Sequence, residues 1–517
     1  MVKRPERPLD ATKDVQRSKI AKHEGTQASA RAGNSDEDQA GEFEDPWEDE
    51  IESEEGEGND GDGNYLLRSV RALRFGTYLH ARVGMDVDSD TEKVVDEEQE
   101  PHSKPFILGV DEIPEGHTLE ADDSVYVMRH NLSLEWSCLS FDILRDNLGD
   151  GRHRFPTSAY IAAGSQAHHS EENVFFVAKL SSLHRTQTQD SDEENDEDDE
   201  ALDEDPILEH VSLPHAGVVN RVRTQRLHTP ALPPASQPYF TSTFSETGKV
   251  HIFNVRPLIE SLDVPGCSLD KDTHFKPMFT ISSHSSEGYA MDWNAPAASS
   301  LSLLTGDIDS KIFLTTAANA DFRPSPRPFT SHLSSVEDLQ WSPTEITVFA
   351  SCSSDRSIRV WDVRSRDRQS ISAIPEAHPS DVNVISWNRL TSYLLVSGDD
   401  NGEIRVWDLR NIKESNSCVV QFNWHKQPIT SVEWHPSEDS VFAASGDDHQ
   451  VSLWDLALEA DDDVMVSDSD GAATIPPQLL FTHHHECVKE LHWHPQIHDT
   501  LISTGIDAMN IFKPVTK

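Results

Sequence analysis

The chain has 517 residues, and 91 Asp and Glu against 43 Lys and Arg give it a formal charge of −48. A polyanion of this kind repels nucleic acid and anionic membrane surfaces and attracts basic proteins. The five cysteines are scattered without a C-x-x-C pair, which argues against a disulfide framework and a thiolate metal site, and no stretch reaches the roughly 18 apolar residues of a membrane span. We therefore expect an intracellular, soluble protein that binds a basic partner protein and binds neither nucleic acid nor membrane.

Residues 1–104 are predicted to form a disordered acidic region behind a basic start. Residues 36–62 hold no Lys or Arg and consist mostly of Glu, Asp, Gly and Ser, a composition that cannot bury a core. Within this tract, "GEFEDPWEDE" places two aromatic side chains four residues apart with no core to join, so they are suited to anchor a partner. The client-binding residues expected here are Phe43, Asp45, Trp47 and Glu48.

Residues 105–135 are predicted to contain a short helix. Asp122 or Asp123 can cap its N-terminus, and Val125, Met128 and Leu132 would then lie on one apolar face. The Val-Tyr-Val-Met run in the same segment also fits a strand, and this alternative stays open.

Residues 136–517 contain an internal repeat. Three segments begin with a histidine and reach, 29 residues later, the Trp of a Trp-Asp pair: His332–Trp361, His378–Trp407 and His425–Trp454. Each ends in an alternating run such as "SIRVWDVR", which is typical of a strand rather than a helix. The pattern resembles the WD-repeat family, whose unit is a four-stranded propeller blade of about 40–45 residues. The fold class implied is all-β, a seven-bladed WD-repeat β-propeller.

Weaker copies of the repeat complete the predicted ring. His284 and His484 keep the nine-residue step to a Trp, and Phe253 and Phe512 are expected to replace the Trp that ends the third strand. The strand-rich stretch 139–183 supplies one more blade and brings the number to seven. A propeller usually closes by pairing an N-terminal strand with its last blade, and we assign the closing strand to "WSCLSFDIL", residues 136–144.

The recurring His, turn Asp and Trp are expected to hold the strands of each blade together. Asp355 and Asp448 match the turn position and Asn401 departs from it. Because the set recurs once per blade, it indicates architecture and not catalysis, and a phosphate loop or nucleophile elbow is missing from the sequence. We predict no enzyme activity, no cofactor and no metal site. The histidines between 483 and 494 are not expected to bind a metal, because His484 or His485 is needed as the blade histidine and His492 and His494 flank the strand residue Trp493. The structural blade residues are His332, Asp355, Trp361, His378, Trp407, His425, Asp448 and Trp454.

Two acidic inserts interrupt the predicted propeller, at residues 190–205 and 459–475. The first is placed between the first and second blades, and the second accounts for the longer repeat that begins at His425. Inserted loops project from a propeller where binding sites are usually built. Asp381 and Glu486, just after blade histidines, are expected contacts on the face where the innermost strands begin. The client-binding residues expected in the first insert are Glu193, Glu194, Glu197 and Asp198.

The segments "EADDSVYVMRHNLSLEW" and "DGAATIPPQLLF" resemble the N-terminal helix and the acidic, proline-containing loop of the histone-chaperone WD-repeat proteins. In those proteins the helix and the loop form a side groove for a basic histone helix. By resemblance, the residues that line the groove here are Tyr126, His130, Asp461, Asp462, Asp463 and Asp470.

Longer strings resemble one subfamily, the glutamate-rich WD-repeat proteins of ribosome assembly: "GEFEDPWEDE", "CLSFDILRDNLGD" and "SSVEDLQWSPTEITVFASCSSDRSIRVWD". This resemblance implies a dedicated chaperone that shields a newly made basic large-subunit ribosomal protein, the third in the numbering, and delivers it to pre-ribosomal particles. We expect a monomer that binds one client, in the nucleus and nucleolus with a cytoplasmic pool.

Two alternative functions stay open. The groove chemistry also fits a nuclear histone-binding chaperone. The pattern Trp-Asp-x-Arg, which ends at Arg364 and at Arg410, resembles the one that substrate receptors of cullin ubiquitin ligases present to their adaptor, so a ligase receptor is the second alternative.

Overall fold

The structure is a computed structural model that describes nine stretches of the chain. They are residues 121–186, 205–227, 231–264, 266–294, 301–318, 321–412, 418–459, 475–506 and 508–515. Within these stretches we find no helix that has both the length and the apolar character to cross a membrane.

The strands of the described stretches form seven four-stranded antiparallel sheets, which are the blades of a propeller. Blade 1 consists of β2 (Ser137–Leu144), β3 (Thr157–Gln166), β4 (Val174–Leu183) and β5 (Ile207–Pro214). Blade 2 consists of β6 (Val219–Thr224), β7 (Phe240–Ser245), β8 (Val250–Asn254) and β9 (Phe279–Ile281). Blade 3 consists of β10 (Ala290–Trp293), β11 (Ser302–Gly306), β12 (Ile312–Ala318) and β13 (Asp321–Pro324). Blade 4 consists of β14 (Val336–Trp341), β15 (Val348–Ser353), β16 (Ile358–Asp362) and β17 (Ser372–Ile374).

The remaining blades follow the same order, except that the outer strand of the last blade comes from the N-terminal side of the chain. Blade 5 consists of β18 (Val382–Trp387), β19 (Leu394–Asp399), β20 (Ile404–Asp408) and β21 (Cys418–Phe422). Blade 6 consists of β22 (Ile429–Trp434), β23 (Val441–Gly446), β24 (Gln450–Asp455) and β25 (Leu479–His484). Blade 7 consists of β26 (Glu490–Trp493), β27 (Leu501–Thr504), β28 (Ala508–Pro514) and β1 (Tyr126–Ser133). The prediction of a seven-bladed WD-repeat propeller is confirmed.

The helices of the described stretches are short and lie in connections. Two α-helices, α1 (Arg256–Asp263) and α2 (Lys271–His274), join β8 to β9, and 3-10 helices lie at Asp123–Val125, Ser170–Glu172 and Leu409–Asn411. Pro257 at the start of α1 suits the first helical turn. The helix buries Leu258 and Ile259 and packs against β4 and β5 of blade 1.

Blades 2, 4, 5, 6 and 7 are stabilised by a buried aromatic residue near the end of the third strand. In β16, Ile358, Val360 and Trp361 are buried, and Trp361 stacks on Phe349 of β15 with 5.8 Å between ring centroids. Phe253 and Phe512 lie at the corresponding places in β8 and β28 and are 2 % and 0 % exposed. A Phe can replace the Trp here because burial of an aromatic ring is the main stabilising contribution.

The first strand of every blade lines the centre of the ring. These innermost strands contact one another in sequence, and β2 of blade 1 contacts β26 of blade 7, so the ring is closed. All of them run in the same direction around the central channel. We call the end of the ring where they begin the upper face and the end where they finish the lower face.

The closing strand is β1, and two predictions about this region are wrong. The predicted helix through Val125, Met128 and Leu132 is reduced to one 3-10 turn that Asp122 caps, and β1 then pairs antiparallel with β28. The strand that the Val-Tyr-Val-Met run left open as an alternative is the element that forms here. The edge of β28 supplies its backbone hydrogen-bond partners. Residues 136–144, predicted to close the ring, instead form the innermost strand of blade 1.

The first acidic insert lies inside blade 1, and its predicted place between the first and second blades is also wrong. The stretch 139–183 contributes only the first three strands, and the fourth, β5, begins at Ile207 beyond the acidic residues. The second insert has the equivalent place in blade 6, between β24 and β25.

Hydrogen bonds of the repeat histidines tie the strands of blades 4, 5 and 6 together at the upper face. In blade 4, His332 Nδ1 lies 2.9 Å from Asp355 Oδ2 and its Nε2 lies 2.6 Å from Ser351 Oγ, which also accepts the Trp361 Nε1–H. In blade 6, His425 Nδ1 has the same 2.9 Å contact with Asp448, and Ser452 bridges His425 and Trp454. In blade 5, Asp399 is the carboxylate beside His378, while Ser397 bridges His378 and Trp407.

Candidate functional site

Most of the predicted client-binding residues lie outside the described stretches. They are Phe43, Asp45, Trp47, Glu48, Glu193, Glu194, Glu197, Asp198, Asp461, Asp462, Asp463 and Asp470. The structure describes the four others, which are Tyr126, His130, Asp381 and Glu486.

Tyr126 is a core residue, so its predicted place as a groove-lining residue is wrong. Its side chain is 4 % exposed, its hydroxyl hydrogen-bonds to His483 Nδ1 at 2.8 Å, and its ring meets Phe481 edge-on. Burial raises the pKa of the Tyr126 hydroxyl, which stays protonated at neutral pH. In a helix this side chain would have been free to line a groove, but in β1 the strand alternation turns it into the interface between blades 6 and 7.

His130 is half-buried on β1 and is held by the chain that leaves blade 1. Its Nε2–H donates to the His184 carbonyl oxygen at 3.0 Å. Burial lowers the pKa of His130, so the ring is neutral near pH 7. His130 therefore fixes β1 against the start of the first insert and offers no positive charge to a client.

The upper face carries exposed acids. Asp381 and Glu486 are exposed there, as are Asp400 and Glu246 on the turns between second and third strands. Within the described part of the chain, none of these four carboxylates forms a salt bridge. Leu333, 87 % exposed, lies on the same face just before β14. This face therefore offers unpaired negative charge beside an apolar side chain.

The lower face is where both acidic inserts leave the propeller. Third strands run from the upper to the lower face, so β4 delivers the chain to the first insert and β24 delivers it to the second, both at the lower end. Blade 7 lies between blades 6 and 1 in the ring, and its outer strand β1 begins at the same end. The attachment points of the inserts thus flank blade 7 on the lower face.

A buried ionic network in the channel joins blade 7 to its neighbours. Glu490 of β26 is 1 % exposed, and its Oε1 lies 2.7 Å from Arg221 and 2.8 Å from Arg223 of blade 2. Its Oε2 accepts the Ser140 hydroxyl at 2.6 Å and the Phe141 N–H at 2.9 Å, both from blade 1. Burial opposes ionisation of Glu490, but Arg223 and Arg221 hold its pKa well below the usual range.

His492, two residues along the same strand, extends this network to blade 6. Its Nδ1 lies 3.0 Å from Glu433 Oε2 of β22. Burial would lower the pKa of His492, but Glu433 and Glu490 outweigh that effect and raise it to about 10. The imidazolium is therefore charged at neutral pH. Sequence reasoning assigned His492 to a strand but missed Glu490, because an acid on an innermost strand belongs to no repeat motif.

The comparisons with known proteins agree with this architecture. Residues 324–362, 369–408 and 416–455, which contain the first three strands of blades 4, 5 and 6, match the family model described as "WD domain, G-beta repeat". Residues 116–184 match a family model for the histone-binding protein RBBP4 and its counterpart in the CAF1 complex. The chain is 43 % identical to ribosome assembly protein rrb1 of Schizosaccharomyces pombe, over 92 % of this chain and 93 % of that protein. The chain belongs to the glutamate-rich WD-repeat family.

Other relatives lie inside and outside this family. Glutamate-rich WD repeat-containing protein 1 of Dictyostelium discoideum is 39 % identical to this chain, over 81 % of the chain and 86 % of that protein. Histone acetyltransferase type B subunit 2 of Candida glabrata is 24 % identical, over 72 % and 81 %. The family assignment made from the sequence motifs is confirmed by these matches.

Proposed function

We propose that this chain is a ribosome-assembly chaperone that binds a newly made, strongly basic large-subunit ribosomal protein, the third in the numbering. It shields the basic segments of this client until pre-ribosomal particles take them up, in the nucleus and nucleolus and from a cytoplasmic pool. The relative that this chain matches along nearly its whole length carries ribosome assembly in its name. The observation that carries the proposal is the attachment of two acidic inserts to one end of a rigid ring, on either side of blade 7.

The physical mechanism is charge neutralisation by tethered acids. A single exposed ion pair contributes only about 0–1 kcal/mol, so one short acidic loop holds a basic segment weakly. Two inserts fixed at blades 1 and 6, on either side of blade 7, raise the effective concentration of the second contact once the first has formed. Because these contacts are exposed, salt screens them within a Debye length of about 8 Å at physiological ionic strength.

The test compares the affinity of the full chain for the purified basic client at two salt concentrations, by fluorescence anisotropy. In the test variant, every acid named above in the two inserts is replaced by its amide, which keeps loop length unchanged. We expect at least a tenfold weaker affinity and a shallower salt dependence. The matched control, Glu171→Gln with Glu172→Gln, removes charge from an exposed upper-face turn that is not predicted to bind the client, and it is expected to keep most of the affinity. Unchanged affinity and salt slope in the insert variant would refute the mechanism.

Histone binding is the second candidate function, and the family-model match over residues 116–184 favours it. In this chain those residues include β1, and its Tyr126 is buried, so the matched segment offers less accessible surface than a helix would. Competition between the ribosomal client and a histone H3–H4 complex for the tagged chain distinguishes the two candidates. Preferential capture of the histones would favour the second.

A role as ligase receptor rests on the two exposed arginines of the Trp-Asp-x-Arg pattern. Arg364 and Arg410 lie on the lower face with side chains 70 % and 61 % exposed, and each pairs with the Asp two residues earlier at 2.6 Å. A relative in Arabidopsis thaliana named "Protein HEAT STRESS TOLERANT DWD 1" is 38 % identical over 78 % of this chain and 90 % of that protein. Their exposure leaves both arginines accessible to an adaptor.

A further inference from the structure

Blade 5 departs from the histidine network of its neighbours. In blades 3, 4 and 6 the histidine Nδ1 lies 2.8 Å, 2.9 Å and 2.9 Å from the turn aspartate. In blade 5 the turn residue is Asn401, and the nearest carboxylate oxygen, Asp399 Oδ2, is 3.4 Å from His378 Nδ1. That separation exceeds the range of an N–H···O bond. His378 is 1 % exposed, and its Nδ1 has no hydrogen-bond partner among the described residues.

A second carboxylate lies at the same place. Glu403 occupies the position that Ser357 holds in blade 4 and Gln450 holds in blade 6, two residues after the turn residue. One ligand atom each from His378, Asp399 and Glu403 lies within 4.8 Å of the other two, and all three residues are buried. Blade 5 thus combines one imidazole and two carboxylates where each neighbouring blade has one carboxylate.

The hydrogen bond at His378 Nε2 determines whether Nδ1 carries a hydrogen or a lone pair toward the two carboxylates. Ser397 Oγ lies 2.6 Å from His378 Nε2 and already accepts the Trp407 Nε1–H at 2.8 Å. When the Nε2–H donates to Ser397, the Nδ1 lone pair faces the two carboxylates. Three electron-rich atoms in a buried site repel one another unless a proton or a metal ion lies between them. A proton lies there when the Ser397 hydroxyl donates to Nε2 and the neutral ring carries its hydrogen on Nδ1.

The surrounding hydrogen bonds orient the two carboxylates. Asp399 Oδ1 accepts the N–H groups of Asn401 and Glu403 at 3.0 Å and 2.8 Å, and its Oδ2 accepts the Ser380 hydroxyl at 2.8 Å. Arg405 Nε donates to Glu403 Oε1 at 2.7 Å, and its Nη1 donates to the Ala377 carbonyl oxygen beside His378 at 2.7 Å. Since Arg405 uses one oxygen of Glu403, the other remains available as a ligand. Supporting bonds of this kind hold the ligands of metal sites in place.

We propose that His378, Asp399 and Glu403 bind a divalent transition-metal ion of the Zn²⁺ type, with water as the fourth ligand. Tetrahedral zinc has N and O ligands at about 2.0–2.1 Å, which places neighbouring ligand atoms roughly 3.4 Å apart. The separation of His378 Nδ1 and Asp399 Oδ2 has this value. The imidazole nitrogen disfavours Mg²⁺ and Ca²⁺, which prefer oxygen ligands.

The ion would clamp the upper end of blade 5. His378 lies before β18, and the two carboxylates flank the turn between β19 and β20. This turn already bonds to the same loop through the Asp400 N–H and the Asp381 carbonyl oxygen at 3.0 Å. A bound metal would replace the missing His–Asp bond of this blade and would hold Asp381 in place on the upper face.

The test uses the full chain and Zn²⁺ alone as the probe. Metal content is measured by mass spectrometry after dialysis, together with the effect of Zn²⁺ on Tm and the visible spectrum of the Co²⁺-substituted protein. The test variant is Glu403→Gln, which copies the residue that blade 6 tolerates at this position and so preserves the fold. The matched control is Glu486→Gln, which removes an exposed carboxylate elsewhere on the upper face.

We expect one tightly held equivalent of zinc, a rise in Tm on adding Zn²⁺ and tetrahedral Co²⁺ absorption in the wild-type and control chains. All three are expected to be lost in Glu403→Gln. The proposal is overturned if the wild-type chain retains no stoichiometric metal and Zn²⁺ leaves Tm unchanged, because a proton then occupies the site. It is equally overturned if Glu403→Gln binds zinc as the wild-type chain does.

Discussion

Replacing Glu490 by Gln should strongly destabilise the propeller. The amide has nearly the same shape, but it cannot compensate the charges of Arg221 and Arg223, which lie 2.7 Å and 2.8 Å from the carboxylate. Its NH₂ group must also face either these guanidinium groups or the Ser140 and Phe141 donors on the other side. Loss of one partner of a buried ion pair costs about 3–5 kcal/mol, a large part of the roughly 5–15 kcal/mol that stabilises a typical domain.

The assay is equilibrium unfolding in urea, with the midpoint and slope compared between variants. Asp447→Asn is the matched control, since Asp447 of blade 6 and Lys489, next to Glu490 in the chain, form a more exposed pair at 3.1 Å, with side chains 43 % and 30 % exposed. The control is expected to change the free energy of unfolding by about 0–1 kcal/mol. If Glu490→Gln changes it no more than the control does, the network around Glu490 does not hold the ring closed.

Three further predictions concern individual side chains. The pKa of His492 is raised to about 10. The contribution of His492 to stability is therefore fully present below about pH 6.5 and is lost as the pH rises through about 10. Urea unfolding at a series of pH values should show this loss of stability, and the pH dependence should disappear in His492→Gln. Tyr126→Phe leaves His483 Nδ1 without its hydrogen-bond partner and should lower the free energy of unfolding by about 1–3 kcal/mol. Thermal unfolding measures this change, and client affinity should stay unchanged. Weaker client binding at equal stability would show that Tyr126 contacts the client. Charge reversal of Arg364 and Arg410 should abolish any association with a ligase adaptor in a pull-down while leaving Tm unchanged, and retained association would exclude the Trp-Asp-x-Arg pattern as its basis.

Residues with regular spacing were the ones that the sequence predicted well. In β16 the buried Ile358 and Val360 flank the half-buried Arg359, and the Trp of blades 4, 5 and 6 marks the third strand of each. Phe253 and Phe512 were recognisable because they keep the position of that Trp. The overall ring follows from these local patterns, because each blade buries its faces only against its neighbours.

The errors lie where long-range pairing decides the structure. Asp122 does cap a turn, but β1 is formed because β28 offers an unpaired edge almost 400 residues later in the chain. No local pattern contains that edge, so the helix could not be rejected from the segment alone. Tyr126 was placed in a groove only through resemblance to that helix, and it became buried with the strand.

The channel network and the blade 5 site were missed for a different reason. Glu490 acts through partners from two other blades, and a linear sequence does not show which innermost strands meet. In blade 5, the absence of an Asp at position 401 was visible, as was Asp399 two residues earlier. What the sequence did not show is that Glu403 faces the same histidine.

The most direct test of the proposed chaperone role is the salt dependence of client affinity in the wild-type chain and in the insert-neutralised variant. If the acidic inserts bind the client, we expect client affinity to fall steeply with increasing salt in the wild-type chain and only slightly in the variant, with both chains equally stable. Equal affinities and equal salt dependences in the two chains would contradict this role of the inserts and would indicate that the client binds to the propeller itself.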